Sequence, residues 1–238
     1  DSIIVGQFVG SSALAAVGAC AALTNVFICV ALGAGVGAGV LVSRYFGAKE
    51  YGKMKTIVST SLISFLLLSI ILGVFGFAFS HAMMSGLQTP ADILEEAVLY
   101  LRVYFVGFPF LFMYNILSTM FTSIGESKIP LGLLIFSSIL NIVMDLWMVA
   151  GLGLGVFGAA LATVISQAVA GVLSLIYLIK NFRILYFQKG ELALNKRCCA
   201  ALCRMGIPMG LQCSLTAVGS VVLQTAVNGL GSAIVAAQ

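Results

Sequence analysis

Long apolar runs without charge set the pattern of this chain. Ser2–Ser43, Thr56–Ser80, Val103–Gly125, Leu146–Ile179 and Met205–Gln238 contain no Asp, Glu, Lys or Arg. A membrane-spanning helix needs roughly 20 apolar residues, and the longest runs hold enough for a helix, a short turn and a second helix. No run alternates with period 2, which argues against a membrane β-barrel. The pattern predicts the tail of a first helix over 1–8, a second over 14–42, a third over 56–80 and a fourth over 97–122. A fifth covers 130–150, a sixth 157–179 and a seventh 208–228, with an eighth opening at Ser232. Pro130 and Pro208 suit first-turn positions, where a missing N–H costs nothing. Pro109 falls inside the fourth span and predicts a kink, which membranes tolerate.

Charge gives these spans a direction. Arg44, Lys49, Lys53 and Lys55 follow the second span, Lys128 follows the fourth, and Lys180, Arg183, Lys189, Lys196, Arg197 and Arg204 follow the sixth. All but one of the twelve Lys and Arg residues therefore lie on one side, which the positive-inside rule makes cytoplasmic. Arg102, near the start of the fourth span, is the exception. The opposite loops carry His81, Asp92, Glu95 and Glu96 but no Lys or Arg. The basic stretch 180–204 reads as a connector along the cytoplasmic membrane surface, between a bundle over 1–179 and a second unit over 205–238.

Composition agrees. Only 8% of residues are charged against 61% hydrophobic, whereas soluble domains carry about 25% charged residues. The net charge of +4 lies in loops between spans, so nucleic acid is not an expected partner; the lipid bilayer is. Cys20, Cys29, Cys198, Cys199, Cys203 and Cys213 form no CxxC pair, and His81 stands alone, so reduced packing residues are expected rather than disulfides or metal ligands. The chain starts at Asp1 and stops at Gln238 within apolar sequence, which predicts a segment of a longer protein.

An internal echo joins Val9-Gly-Ser-Ser-Ala-Leu-Ala-Ala16 to Leu230-Gly-Ser-Ala-Ile-Val-Ala-Ala237, each after a span running outward. It suggests a parallel repeat of about six helices, a device of many secondary transporters. Asp1–Gly6 with Gly10–Gly18, then Gly33–Gly39 with Ser43–Lys49, resemble in order the first two helices and first cytoplasmic loop of MATE (multidrug and toxic compound extrusion) transporters. Tyr104–Ser118, Gly125–Pro130, Leu140–Asp145 and Gly158–Thr163 continue the likeness. The resemblance implies an all-α membrane fold of twelve helices in two lobes. This chain would hold the six-helix N-terminal lobe, its first helix shortened, and the start of the second lobe. It further implies a monomeric, multi-pass protein of the cytoplasmic membrane that exchanges H⁺ or Na⁺ for small organic, often cationic, solutes without a cofactor. Where one branch of that family carries a glutamate in helix 7, this chain reads Gln212, Ser214 and Thr216, which resembles the DinF-like branch.

Two acids interrupt the apolar spans, Asp1 and Asp145. A mid-membrane Asp costs about 2.5–3.5 kcal/mol even on a lenient scale and calls for a partner or a function. Asn141 shares the helix face of Asp145 one turn earlier. At 1.5 Å per residue, Asp1, Asp145 and Thr163 sit about 12, 9 and 10 Å below the outer loops, at one level on three helices. The MATE likeness implies a coupling site from the same residues: Asp1, Asn141, Asp145 and Thr163. Buried carboxylates can take up a proton near neutral pH, or their oxygens, with those of Asn141 and Thr163, can hold Na⁺. A hydrogen-bonded helix clamp is the plainer reading of the same set. Asn25, Tyr114, Asn115 and Gln167 could face a substrate cavity or clamp neighbouring helices.

Gly33, Gly35, Gly37 and Gly39 have no preceding strand or following acid of a nucleotide loop, and predict close packing or bending of helix 2. Phe108, Phe110, Phe112 and Met113 suit core packing or lipid contact better than a solute path. No HExxH, GxSxG with a partner His, or paired Asp near a scissile bond is present, so an enzyme is not expected. A lipid-linked oligosaccharide flippase would show a strongly basic cavity, which Arg102 alone approaches. A membrane scaffold gives no reason for polar groups at one level on three helices.

Overall fold

The computed structural model describes residues 2–181 and 195–228, and among them every regular element is a helix. In chain order these are α1 (Ser2–Phe8), α2 (Ser11–Gly47), α3 (Tyr51–Gly86), α4 (Leu94–Val106), α5 (Phe108–Ser123), α6 (Lys128–Asp145), α7 (Gly155–Asn181) and α8 (Lys196–Asn228), with a π-helical turn, Leu146–Gly151, continuing α6. Ser11–Gly47, Tyr51–Gly86, Lys128–Gly151 and Gly155–Lys180 are each long and apolar enough to cross a membrane. Their outward faces are apolar too: Ile71 and Val74 on α3 are 64% and 66% exposed. Such a surface fits lipid and not water. The predicted eighth span, the second half of the internal echo, and Arg183 and Lys189 of the connector lie outside the described residues.

The fourth predicted span is two helices. Leu94–Val106 and Phe108–Ser123 meet at a 52° bend. Pro109, in the first turn of α5, has no N–H for the carbonyl of Phe105, so the hydrogen-bond ladder cannot run through. Gly73 on α3 makes room for that carbonyl: a Cβ there would lie 2.9 Å from Phe105 O. Aromatic rings fill the inside of the bend. Phe27 meets Phe105 and Phe108 edge-on at 5.0 and 5.4 Å between centroids. Phe108 and Phe112 are fully buried, which settles these two as core residues, while Phe110 faces outward.

The glycine run of α2 resolves into two stripes on opposite faces, because residues two apart on a helix point about 200° apart. Gly33 and Gly37 press on α8. A Cβ on Gly33 would collide with the backbone of Gly210, and one on Gly37 would lie 2.7 Å from Gly206 N. Gly35 and Gly39 press on α5, where a Cβ would lie 3.2 Å from Thr119 Oγ1 and 2.7 Å from Ser123 Oγ respectively. In lipid, dispersion between closely approaching backbones replaces the hydrophobic drive of water, and glycine permits the closest approach.

The sequence expectation for Pro208 is corrected. It sits well inside α8, which begins at Lys196, so residues 196–204 of the basic connector form the first turns of that helix. The start signal is Asn195. Its Oδ1 accepts from Arg197 N at 3.0 Å and Cys198 N at 3.4 Å, the arrangement of an N-cap. Asn195 N in turn donates to Thr60 Oγ1 at 3.4 Å, tying this end of α8 to α3.

The two sides of the α2–α8 contact differ. A Cβ on Gly210 meets nothing within 4 Å. Gly33→Ala should therefore destabilise the purified protein by about 1–3 kcal/mol. Gly210→Ala, in the same contact, should be neutral or slightly stabilising. Thermal unfolding in detergent measures both; equal losses would refute the one-sided contact.

Candidate functional site

The polar residues of α6 and α7 converge in one seam. Ser137, Asn141 and Asp145 recur every four residues on α6 and so share a face. Ser137 Oγ donates to Ser166 O at 3.2 Å, and Asn141 Nδ2 donates to Thr163 Oγ1 at 3.5 Å. Thr163 and Ser166 turn their own hydroxyls back to Ala159 O at 3.1 Å and Ala162 O at 2.8 Å, which leaves their acceptor lone pairs open to α6. Ala159 and Ala162 are fully buried, and their small side chains let the helices approach. Asp145, last in the line, is 0% exposed.

Asp145 stands where α6 changes character. The next six residues form the π turn, with Leu152 N donating to Trp147 O, five residues back, at 3.0 Å. Isolated π turns cluster at functional sites because they re-aim a side chain without ending a helix. α1 packs against this turn and against α7, with Val5 fully buried. The position predicted for Asp1, directly before α1, lies outside the described residues.

The structure also adds residues that sequence reasoning missed. Tyr100 on α4 is buried. It stacks on Tyr104 one turn later, 6.3 Å between centroids and 15° between planes. Cys20 Sγ donates to Ala97 O at 3.2 Å, fastening α2 beside this pair. The only sequence signal was two tyrosines four residues apart in an apolar span, where a phenol reads like any other ring.

The proposed cavity residues separate. Gln167 lies one turn beyond Thr163 on α7, and its Oε1 is buried with no hydrogen-bond partner among the described residues. Tyr114 is a clamp: its hydroxyl donates to Pro130 O at 3.3 Å, joining α5 to α6. Asn115 Nδ2 donates to Leu111 O at 2.8 Å within its own helix. Asn25 is exposed on α2. Arg102 Nε donates to Ser80 Oγ at 3.1 Å, and its guanidinium lies 5.6 Å from the Phe77 ring centre, so it belongs to the flank of α3 and α4.

A bundle of apolar spans with one buried acid in a polar seam is the architecture of a membrane transporter lobe, and the comparisons agree. The family model MatE matches residues 1–147. The chain is 31% identical over 240 residues to the probable multidrug resistance protein YoeA of Bacillus subtilis, covering 98% of this chain and 52% of that protein. It is 32% identical over 189 residues to the multidrug export protein MepA of Staphylococcus haemolyticus, covering 79% of this chain and 42% of that protein. Among solved structures, the MATE multidrug transporter DinF-BH in complex with R6G aligns with TM-score 0.93 at 24% identity, over 100% of this chain and 53% of that one. An outward-facing multidrug resistance MATE transporter aligns with TM-score 0.78 at 27% identity, over 90% and 47%. The chain belongs to the MatE family, whose members are transporters and not enzymes. It spans about half the length of the curated relatives it matches.

Interhelical polar pairs in membranes couple by about 0.6 kcal/mol on average and up to about 1.7. A double-mutant cycle with Asn141→Ala and Thr163→Val should return a coupling in that range. Strictly additive losses in unfolding free energy would dissolve the pair.

Proposed function

We propose that the full-length protein is a cation-coupled antiporter that exports organic, drug-like solutes across the cytoplasmic membrane, with its basic loops in the cytoplasm. The observation that carries this reading is Asp145, fully buried in an apolar span beside the Asn141–Thr163 pair. A carboxylate is costly at such a place, and a helix clamp alone could be built from the Ser137–Ser166 type of bond without one. Oxygen-rich Asp145, Asn141 and Thr163 suit a proton or a hard cation such as Na⁺, with Asp1 as the fourth group. Binding either ion changes the charge of the seam. That change can bias the two lobes between outward- and inward-facing states only to the extent that the ion binds one state more tightly.

The solute class rests on the relatives. YoeA and MepA carry multidrug names, and DinF-BH is solved with R6G. A solute-binding role for Gln167, one turn from Thr163, is supported by its shielded Oε1, which has no hydrogen-bond partner among the described residues and would be satisfied by a donor. The position of Arg102, held by Ser80 and Phe77, favours an organic solute over a pyrophosphate-linked sugar lipid, which needs a basic cavity.

Vesicles containing the full-length protein provide the test, with H⁺ and Na⁺ gradients imposed separately. Wild-type efflux of a cationic dye should require one of the two gradients. Asp145→Asn should reduce it to the level of empty vesicles while leaving the protein folded. Gradient-dependent efflux that survives Asp145→Asn removes this carboxylate from the mechanism.

A further inference from the structure

The flank of α3 and α4 carries a cavity pair that transport leaves unused. At the end opposite the basic loops, His81, Glu95, Glu96, Leu99 and Arg102 line a polar cavity of about 490 Å³. Directly deeper, Gly73, Val74, Phe77, Ala78, Val106 and Pro109 line an apolar cavity of about 390 Å³ in the crook of the α4–α5 bend. The two meet where the Arg102 guanidinium lies over the Phe77 ring. Val74 and Val106 are 66% and 61% exposed, so the apolar cavity opens toward the bilayer.

Charge is ordered along α4. The carboxylates of Glu95 and Glu96 are outermost, and Arg102 follows about 9 Å further along α4. The apolar cavity follows Arg102 within one more turn. A zwitterionic phospholipid has the complementary order: ammonium outermost, then phosphate, then acyl chains. Glu96 Oε2 is shielded and has no hydrogen-bond partner among the described residues, so a donor there would satisfy it. A primary ammonium brings three N–H donors, whereas choline brings none. Arginine is the side chain best suited to phosphate, and Ser80 and Phe77 already hold this one in place. We infer that this flank is a binding site for one phosphatidylethanolamine molecule. Its phosphate sits on Arg102, its ammonium on Glu96, and one acyl chain lies in the α4–α5 crook.

The inference rests on the chain spanning a bilayer and not on what it exports. Native mass spectrometry of the detergent-purified full-length protein, offered phosphatidylethanolamine, phosphatidylcholine and phosphatidylglycerol at equal concentration, tests it. Phosphatidylethanolamine should be retained above the other two. Arg102→Gln should weaken that retention roughly tenfold, the value of one charge-assisted hydrogen bond. Glu96→Gln should erase the preference over phosphatidylcholine while leaving phosphatidylcholine retention unchanged. Ala78→Trp fills the crook without touching a charge, and should lower retention of all three. Undiminished phosphatidylethanolamine retention in Arg102→Gln or in Ala78→Trp overturns the site, as does a wild-type preference for phosphatidylglycerol. Because retention is read without transport, failure here leaves the assignment at Asp145 standing.

Discussion

The backbone of α2 touches two neighbours at once, and the rest of the bundle depends on that contact. In water, an apolar helix face finds a partner because both leave solvent. In a bilayer the lipid tails are equally apolar, so helices associate through close packing and a few polar bonds. Gly35 and Gly39 bring α2 onto α5, while Gly33 and Gly37 bring it onto α8. With α2 held on both sides, the α4–α5 bend has a wall for its aromatic rings, through Phe27. Cys20 then reaches the carbonyl of Ala97 and ties α2 to α4, which carries the Tyr100–Tyr104 stack.

Polar bonds do the complementary work on the other side of the lobe. The α6–α7 seam repeats one construction twice: a hydroxyl satisfied within α7 still accepts from, or leaves its carbonyl to, a side chain of α6. The buried hydroxyls of Ser137, Thr163 and Ser166 thereby each have somewhere to bond, which a lipid environment demands more strictly than water does. Asp145 continues the line into the π turn, so the most costly group in the lobe lies where the helix can re-aim it. Packing by glycine and bonding by hydroxyl thus divide the bundle, with the acid at the polar end.

Much of this was legible in the sequence, and the limits have physical causes. Charge-free runs mark spans because a bilayer forbids charge over a fixed length. Pro109 announced the bend because proline removes a donor in any context. The shared face of Asn141 and Asp145, and the depth of Thr163, followed from helix geometry. Pro208 misled because the same missing donor is tolerated inside a membrane helix, and the cap at Asn195 set the start of α8 further back. The π turn left no signal, since its side chains are ordinary apolar ones. Tyr100 was hidden because an apolar run records that a ring is buried but not which ring it stacks on. The glycine run showed that a face was small, yet periodicity within one helix cannot name a partner more than 160 residues away; Gly33 and Gly210 meet only in the fold.

The one-sidedness of the α2–α8 contact bears on how the sequence can drift. The tightest intolerance to added volume sits on α2, where a methyl group at position 33 or 37 has only rigid main chain to displace; on α8, Gly206 is crowded more mildly, by Ala34 Cα at 3.3 Å from its would-be Cβ. Across the contact, position 210 is free to gain one. A small added side chain at position 210 therefore needs no compensating change on α2. The reverse order is closed, since a change on α2 must wait for the main chain of α8 to move. At the Gly33–Gly210 crossing, α2 is the fixed template and α8 the side with room to vary.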